Sequence, residues 1–338
     1  MFDDTLKKLY AKQDLTFEEA EGAMEEIMSG NVSEIKLSSW LTALKLKGES
    51  ASEIGGCASV MNRHASKIKC DDKNVIDIVG TGGDGAKTFN ISTTSAFVAA
   101  GAGLTVAKHG NRAVSSRSGS ADVLSELGIR LDLTPAEMEL TLNEVGISFL
   151  FAPLLHPAMK YAMPVRRELG TRTIFNILGP LCNPASTKRM TIGVYSKPLC
   201  RLIAEAALKI GKEHILVVYG EDGLDEITTT TTTHICEVRN GKILEYDLDP
   251  TEYGIALAEP EDISGGTPSE NAKIVKAILN GEKSGPERDI VILNSASSMI
   301  VSGMANNWND AIKLASDSID SGKAMEKLNR LIVFTQAL

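Results

Sequence analysis

Paired cysteines, a basic surface and a long apolar run are all missing from this sequence, and each absence removes a class of function. The five cysteines (Cys57, Cys70, Cys182, Cys200 and Cys236) are odd in number and scattered. None forms a CxxC pair, so neither a disulfide framework nor a zinc site is suggested. The net charge of −9 makes a surface that repels phosphate backbones, which argues against a general nucleic-acid binder. No segment approaches the roughly 18 apolar residues that mark a membrane span. The start, Met1-Phe2-Asp3-Asp4, carries acid where a secretory signal carries base. A cytoplasmic protein with neither nucleic acid nor membrane as partner is expected.

What is present is an ordinary globular mixture in a chain of 338 residues, too long for one ordinary core. The first 70 residues read as four helices. Thr16 with Glu19 and Ser50 with Glu53 match the capping box, while Gly30 and Gly48 stand where helices stop. Leu37, Trp40, Leu41 and Leu44 recur at helical spacing, as a core stripe or a subunit contact. Beyond Cys70 the texture changes to short apolar strands separated by helices. Strands are expected at Val75 to Val79, Leu104 to Ala107, Thr191 to Tyr195, Ile215 to Tyr219, His234 to Val238 and Ile243 to Tyr246. The fold class is therefore α/β, a central, largely parallel or mixed sheet covered by helices. The threonine run Thr228 to Thr233 reads as a strand edge, threonine being β-branched.

The segment Gly80-Thr81-Gly82-Gly83-Asp84-Gly85 contains a GxGxxG pattern after a strand. A dinucleotide site also needs an acid about 20 residues later to hold the ribose. No Asp or Glu occurs between Gly85 and Ala121, whereas Lys87, Lys108, Arg112 and Arg117 do. That window suits phosphate: glycines admit backbone N–H groups, and Thr88, Asn90, Ser92 and Thr93 add donors at a helix start. Lys108 to Arg112, following the next strand, reaches the same sheet edge, and Ser115, Ser116, Ser118 and Ser120 supply further hydroxyls. Asp225-Glu226 is suited to magnesium, which is held by one or two carboxylates plus substrate phosphates. The pair either sits on a turn and shares one ion or serves two. Arg166 and Arg167 lie about 100° apart on a helix, so one is free to grip a substrate carboxylate while the other pairs with an acid such as Glu168. His109 is the only histidine inside a motif and is read as positioning. His64, His156, His214 and His234 are read as structural or exposed.

Taken together, GTGGDGAKTFNIST (Gly80 to Thr93), KHGNRAVSSRSGSADVLSELG (Lys108 to Gly128), PVRRELGTRTIFNILGPLCNP (Pro164 to Pro184), DGLDEIT (Asp222 to Thr228) and SENA (Ser269 to Ala272) resemble the anthranilate phosphoribosyltransferase family of tryptophan biosynthesis. The resemblance implies a small all-helical domain, residues 1–70 joined by roughly 160–185, and a larger α/β domain of residues 71–159 and 186–338. It implies transfer of the phosphoribosyl group of phosphoribosyl pyrophosphate (PRPP) to anthranilate. PRPP would meet Gly80, Gly83, Asp84, Thr88, Asn90, Ile91, Ser92, Thr93, Lys108, His109, Gly110, Asn111, Arg112, Ala113, Val114, Ser115, Ser116 and Ser120. Anthranilate would meet Gly80, Asn111 and Arg166, and two Mg²⁺ ions would be held by Ser92, Asp225 and Glu226. No general base is implied, and the family is commonly homodimeric. The hydroxyl-rich Asn294-Ser295-Ala296-Ser297-Ser298 is a departure expected to touch none of these residues. A pyrimidine nucleoside phosphorylase shares the implied fold, but it leaves the acidic pair without a purpose.

Overall fold

The computed structural model describes residues 2–112 and 117–338. Four helices, Phe2–Tyr10, Phe17–Met28, Glu34–Lys47 and Ala51–His64, open the chain. Thr16 and Ser50 each make both bonds of the expected capping box. Gly48 ends the third helix at φ 90°, a value that costs glycine nothing because it lacks a Cβ. Leu37, Trp40, Leu41 and Leu44 are at most 2% exposed. The Trp40 stripe is thus internal packing of the single chain, and its reading as a subunit contact is corrected.

Seven strands form one sheet: β1 (Ile76–Gly80), β2 (Val106–Gly110), β3 (Ile147–Phe151), β4 (Arg189–Gly193), β5 (His214–Gly220), β6 (Thr233–Arg239) and β7 (Lys242–Leu248). Their spatial order is β3-β2-β1-β4-β5-β6-β7. The first five are parallel and the last two antiparallel, so the expected mixed, largely parallel sheet is present. β3 was not anticipated from the sequence. The six-threonine run is also different from expectation: only Thr233 belongs to a strand. Thr228 Oγ1 donates to Asp222 Oδ2 at 2.6 Å, and the Thr228 and Thr230 amides bond to threonine hydroxyls. These local side-chain bonds compete with a ladder.

Strand residues alternate between two cores, as the two-residue period requires. Ile76, Ile78, Leu216 and Val218 face helices Ile91–Gly101, Pro286–Ser302, Trp308–Asp320 and Lys323–Ala337. Met190, Ile192, Ile215 and Val217 face the other way, in a cluster shared with helix Pro198–Lys209, the N-terminal helices and Ala162 to Cys182. Chain order runs outward from β1 to β3 on one side and from β4 to β7 on the other. The sheet's switch point therefore falls between β1 and β4, where ligands bind outside the carboxyl ends of α/β strands.

Candidate active site

At that switch point Gly80 and Gly193 end β1 and β4 as register partners. A Cβ on Gly80 would lie 2.4 Å from Asp225 Oδ2, and one on Gly193 would lie 1.6 Å from the Asp225 carbonyl oxygen. The two glycines thus make room for the acidic turn to rest directly on the strand ends. Beyond Gly80 the loop uses positive φ at Gly82, Gly83 and Gly85, and the Gly82 amide donates to Asp225 Oδ2 at 2.7 Å.

Helix Ile91–Gly101 starts beside this loop. Its N-cap residue Asn90 makes no capping bond. Instead Asn90 Oδ1 accepts from Ser118 Oγ and Asn271 Nδ2, and Asn90 Nδ2 donates to the Ser118 carbonyl. The Ile91 amide turns back to the Phe89 carbonyl, and Ser92 N, at the positive end of the helix dipole, donates to Glu226 Oε1 at 3.2 Å. The SENA motif is therefore used through Asn271, which ties this helix start to the turn at Gly266.

Asp225 and Glu226 point to different anchors, the glycine loop and the helix start. Burial and the neighbouring Asp84 carboxylate push Asp225 up to about 7. Burial and Asp225 push Glu226 up to about 8. Such mutual repulsion in half-buried carboxylates is relieved by a cation, so the donor set fits magnesium. Lys108 lies in β2 rather than in a loop after it. Its ammonium is 2.6 Å from the Ile78 carbonyl and 3.4 Å from Ser92 Oγ. Burial lowers its pKa, opposed by Asp77, Glu226 and Asp225.

Beneath Lys108 sits a polar network that motif spacing did not disclose. Asp77 is fully buried; its carboxylate accepts from His109 N and Asn183 Nδ2. Asn183 Nδ2 also donates to the Ala107 carbonyl. His109, also within β2, meets His156 with Nε2 atoms 3.2 Å apart. Burial brings His109 down to about 3 and His156 down to about 4, so both are neutral rings at pH 7. His156 is thus a buried partner of the motif histidine.

Other expected residues are more dispersed. Ile91 and Thr93 are 1% exposed, so their side chains belong to the core. Thr88 bridges Ser264. Gly110 lacks room for a Cβ against Phe149, Ser120 is the first residue of its helix, and Asn111 accepts from the Arg112 amide. Arg112 pairs with Asp122 at 2.9 Å. Ala113, Val114, Ser115 and Ser116 lie outside the described residues. An open cleft of about 410 Å³ is lined by Arg117, Gly265, Gly266, Glu270, Lys273 and Ile274; Asp225 and Glu226 are not in its wall.

Arg166, on helix Met163–Leu169, is largely buried over the Phe175 ring at 5.2 Å, and burial lowers its pKa. Among the described residues no carboxylate pairs with it. Arg167 is exposed and likewise has no ion pair among them, which corrects its expected pairing with Glu168. Arg172 was overlooked: it donates to the Gly83 carbonyl and lies 4.1 Å over Tyr195, latching this segment to the glycine loop. The hydroxyl-rich segment is also closer to the site than expected. Asn294 Oδ1 accepts from the Ile227 amide and Asn294 Nδ2 donates to the Ile227 carbonyl, clamping the residue next to Glu226.

The chain matches the helical bundle domain of the glycosyl transferase family over residues 3–65 and that family's a/b domain over residues 72–325. The anthranilate phosphoribosyltransferase of Desulfosudis oleivorans is 48% identical over 337 residues, covering 100% of this chain and 99% of its own. The crystal structure of the Thermus thermophilus anthranilate phosphoribosyltransferase superposes with a TM-score of 0.93 at 40% identity, over 98% of this chain and 99% of its own. The Saccharomyces cerevisiae anthranilate phosphoribosyltransferase, in complex with PRPP and Mg, superposes with a TM-score of 0.91 at 31% identity, over 100% of this chain and 98% of its own. With both domain matches in order and full-length identity near one half, the chain belongs to the anthranilate phosphoribosyltransferase family.

Proposed function

We infer that this chain transfers the phosphoribosyl group of PRPP to the amine of anthranilate, giving N-(5-phosphoribosyl)anthranilate and pyrophosphate. The observation that carries this reading is the meeting of a glycine loop, a helix start and Lys108 with Asp225 and Glu226 at the sheet's switch point. The bond from the ribosyl C1 to pyrophosphate breaks, the amine nitrogen bonds to C1, and the amine gives up a proton. An aromatic amine is already a competent nucleophile, so the protein's contribution is positioning and charge stabilisation.

The loop amides, the helix start and Lys108 bind the phosphate groups, together with the remaining family positions through Ser120. Arg166, a desolvated cation without an anion partner among the described residues, holds the anthranilate carboxylate, with Gly80 and Asn111 near the ring. Magnesium, when bound, neutralises the charge of the pyrophosphate group. Ser92, Asp225 and Glu226 would hold it, with Asp84 beside them, and the separate anchors of the two acids support two ions rather than one. His109 and His156, neutral and weakly basic, support a positioning role and leave the general base unassigned. We group residues 160–185 with the helical domain, because helix Met163–Leu169 packs on helix Glu34–Lys47 and the short helix Phe175–Leu178 packs on helix Ala51–His64.

Loss of anthranilate fluorescence on mixing with PRPP and Mg²⁺, with an EDTA control, tests the reaction. Asp225→Asn and Glu226→Gln should each lower turnover on the order of 10²-fold; near wild-type turnover in both sinks the metal assignment. A homodimer is also proposed. Ile35 and Leu46, 81% and 80% exposed, are eleven residues apart and so about 20° apart round one helix. Sedimentation should give a dimer that Ile35→Lys with Leu46→Lys dissociates; an unchanged dimer moves the interface elsewhere. A cytoplasmic location is part of the same reading, and no described helix is long and apolar enough to cross a membrane.

A further inference from the structure

Away from the phosphate-binding edge, the hairpin of β6 and β7 carries a second group of ligating side chains. His234 and Cys236 are two residues apart on β6 and share a face. Glu245 stands opposite Cys236, and Asp247 opposite His234. The ligand atoms of His234, Cys236 and Glu245 all lie within 4.8 Å of one another. Cys236 Sγ is 3.8 Å from His234 Nε2, which is 3.6 Å from Glu245 Oε2. Bonds of ~2.0–2.3 Å around a tetrahedral zinc hold ligand atoms roughly 3.3–3.8 Å apart. Helix Pro198–Lys209, which carries Cys200, packs over β6.

The orientation of the imidazole is the second argument. His234 Nδ1 is 2.8 Å from Asp247 Oδ1. A carboxylate on one ring nitrogen fixes the tautomer that turns the other, as a lone pair, toward a metal. Here the free nitrogen faces the thiol and the second carboxylate. Cys236 is fully buried, while the His234 and Glu245 side chains are 13% and 41% exposed, so the group is open on one side only. Arg201 occupies the other Glu245 oxygen, Oε1, at 2.9 Å and leaves Oε2 available.

We propose that His234, Cys236 and Glu245 form a three-ligand binding site for a divalent cation of the borderline-soft class, typified by zinc, with solvent in the fourth position. One thiolate, one imidazole and one carboxylate select such an ion over magnesium, which takes oxygen ligands. Cysteine spacing did not disclose the group because it is assembled across a hairpin. Bound metal would pin β6 to β7, so it is a structural site separate from the chemistry.

Cobalt(II) is the probe. The full-length protein, freed of metal with chelator, is titrated with Co²⁺ and then with Zn²⁺. One equivalent should give the thiolate-to-cobalt charge-transfer band and the intense visible bands of a four-coordinate ion, and one equivalent of Zn²⁺ should abolish both. His234→Gln and Cys236→Ser should remove the thiolate band. Asp247→Asn should weaken Zn²⁺ binding roughly 10–100-fold. Glu226→Gln should leave the band intact, since oxygen donors cannot produce it. Absence of a thiolate band in the wild type overturns the proposal, even if a variant fails to fold. A band that persists in both ligand variants also overturns it, because it would then arise from another thiol such as Cys70.

Discussion

Replacing Gly193 with alanine places a single methyl group where the structure has no space for one. Its Cβ would lie 1.6 Å from the Asp225 carbonyl oxygen and 2.4 Å from the Asp225 carbonyl carbon. Real Cβ atoms do not approach closer than 3.0 Å, so strand and acidic turn must separate by about 1.4 Å. These neighbours are backbone, and no rotamer change relieves them. A displacement of about 1 Å costs roughly 10²-fold in rate when it moves positioning groups. Overpacking of this kind also costs about 1–3 kcal/mol of stability. Gly193→Ala should therefore lower kcat/KM about 100-fold and raise the Mg²⁺ concentration needed for half-maximal rate. Gly101→Ala is the matched control. Its Cβ would meet Ser318 Oγ at 2.4 Å and the Ala324 amide nitrogen at 2.6 Å, a clash within helix packing. It should lower Tm while leaving the Mg²⁺ requirement of the folded enzyme unchanged. The assay is anthranilate fluorescence loss across a Mg²⁺ series, with thermal melts of both variants. If Gly193→Ala retains kcat/KM within threefold and its Mg²⁺ half-saturation is unchanged, the position of Asp225 does not depend on the paired glycines and the reasoning fails.

Two further expectations concern charge. The carboxyls of Asp225 and Glu226 rise from ordinary values of 3.8 and 4.5 to about 7 and about 8. A raised carboxyl stabilises the fold below its ordinary value, and that contribution is lost as pH rises through its folded value. Metal-free Tm should consequently fall as pH climbs from about 4 to 8, with about 2 kcal/mol lost per group once the shift is halved for residual solvent. The Asp225→Asn, Glu226→Gln double variant should flatten this slope in parallel melts; an identical slope would show that the acidic turn does not carry it. Arg166→Ala should raise the anthranilate KM roughly 10–100-fold by removing a charge-assisted bond, with the PRPP KM little changed. Steady-state kinetics at saturating PRPP decide this, and an unchanged anthranilate KM places the amine elsewhere.

The layered fold was readable because its signals are local. Capping boxes at Thr16 and Ser50 depend on residues three apart, and the strands on short apolar runs. Ile147–Phe151 escaped notice because it follows the helix Pro135–Val145 with only Gly146 between them. The motifs also brought the glycine loop, Lys108 and the acidic pair to attention. What they left out is long-range. Nothing near residue 193 signals that Asp225 will lie above it, and nothing near residue 294 signals its bonds to Ile227. The Asp77–Asn183 pair spans 106 residues, and Arg172 meets Gly83 across 89. Even the threonine run was misread because β propensity describes the side chain's shape and not the acid, Asp222, that captures its hydroxyls.

The apolar cluster that begins at Phe2 continues without a break to Val238. Its seam is tight: Gly56 has no room for a Cβ against Phe17 and Ala20, and Gly55 faces Lys209 of helix Pro198–Lys209. The two regions recognised as separate modules in sequence should therefore melt as one cooperative unit. A protease nick in the stretch between residues 65 and 75 would sever the chain without freeing either piece. Fragments made there should recover activity only when mixed, each completing the buried surface of the other, which makes this connection a natural place to split the enzyme for complementation.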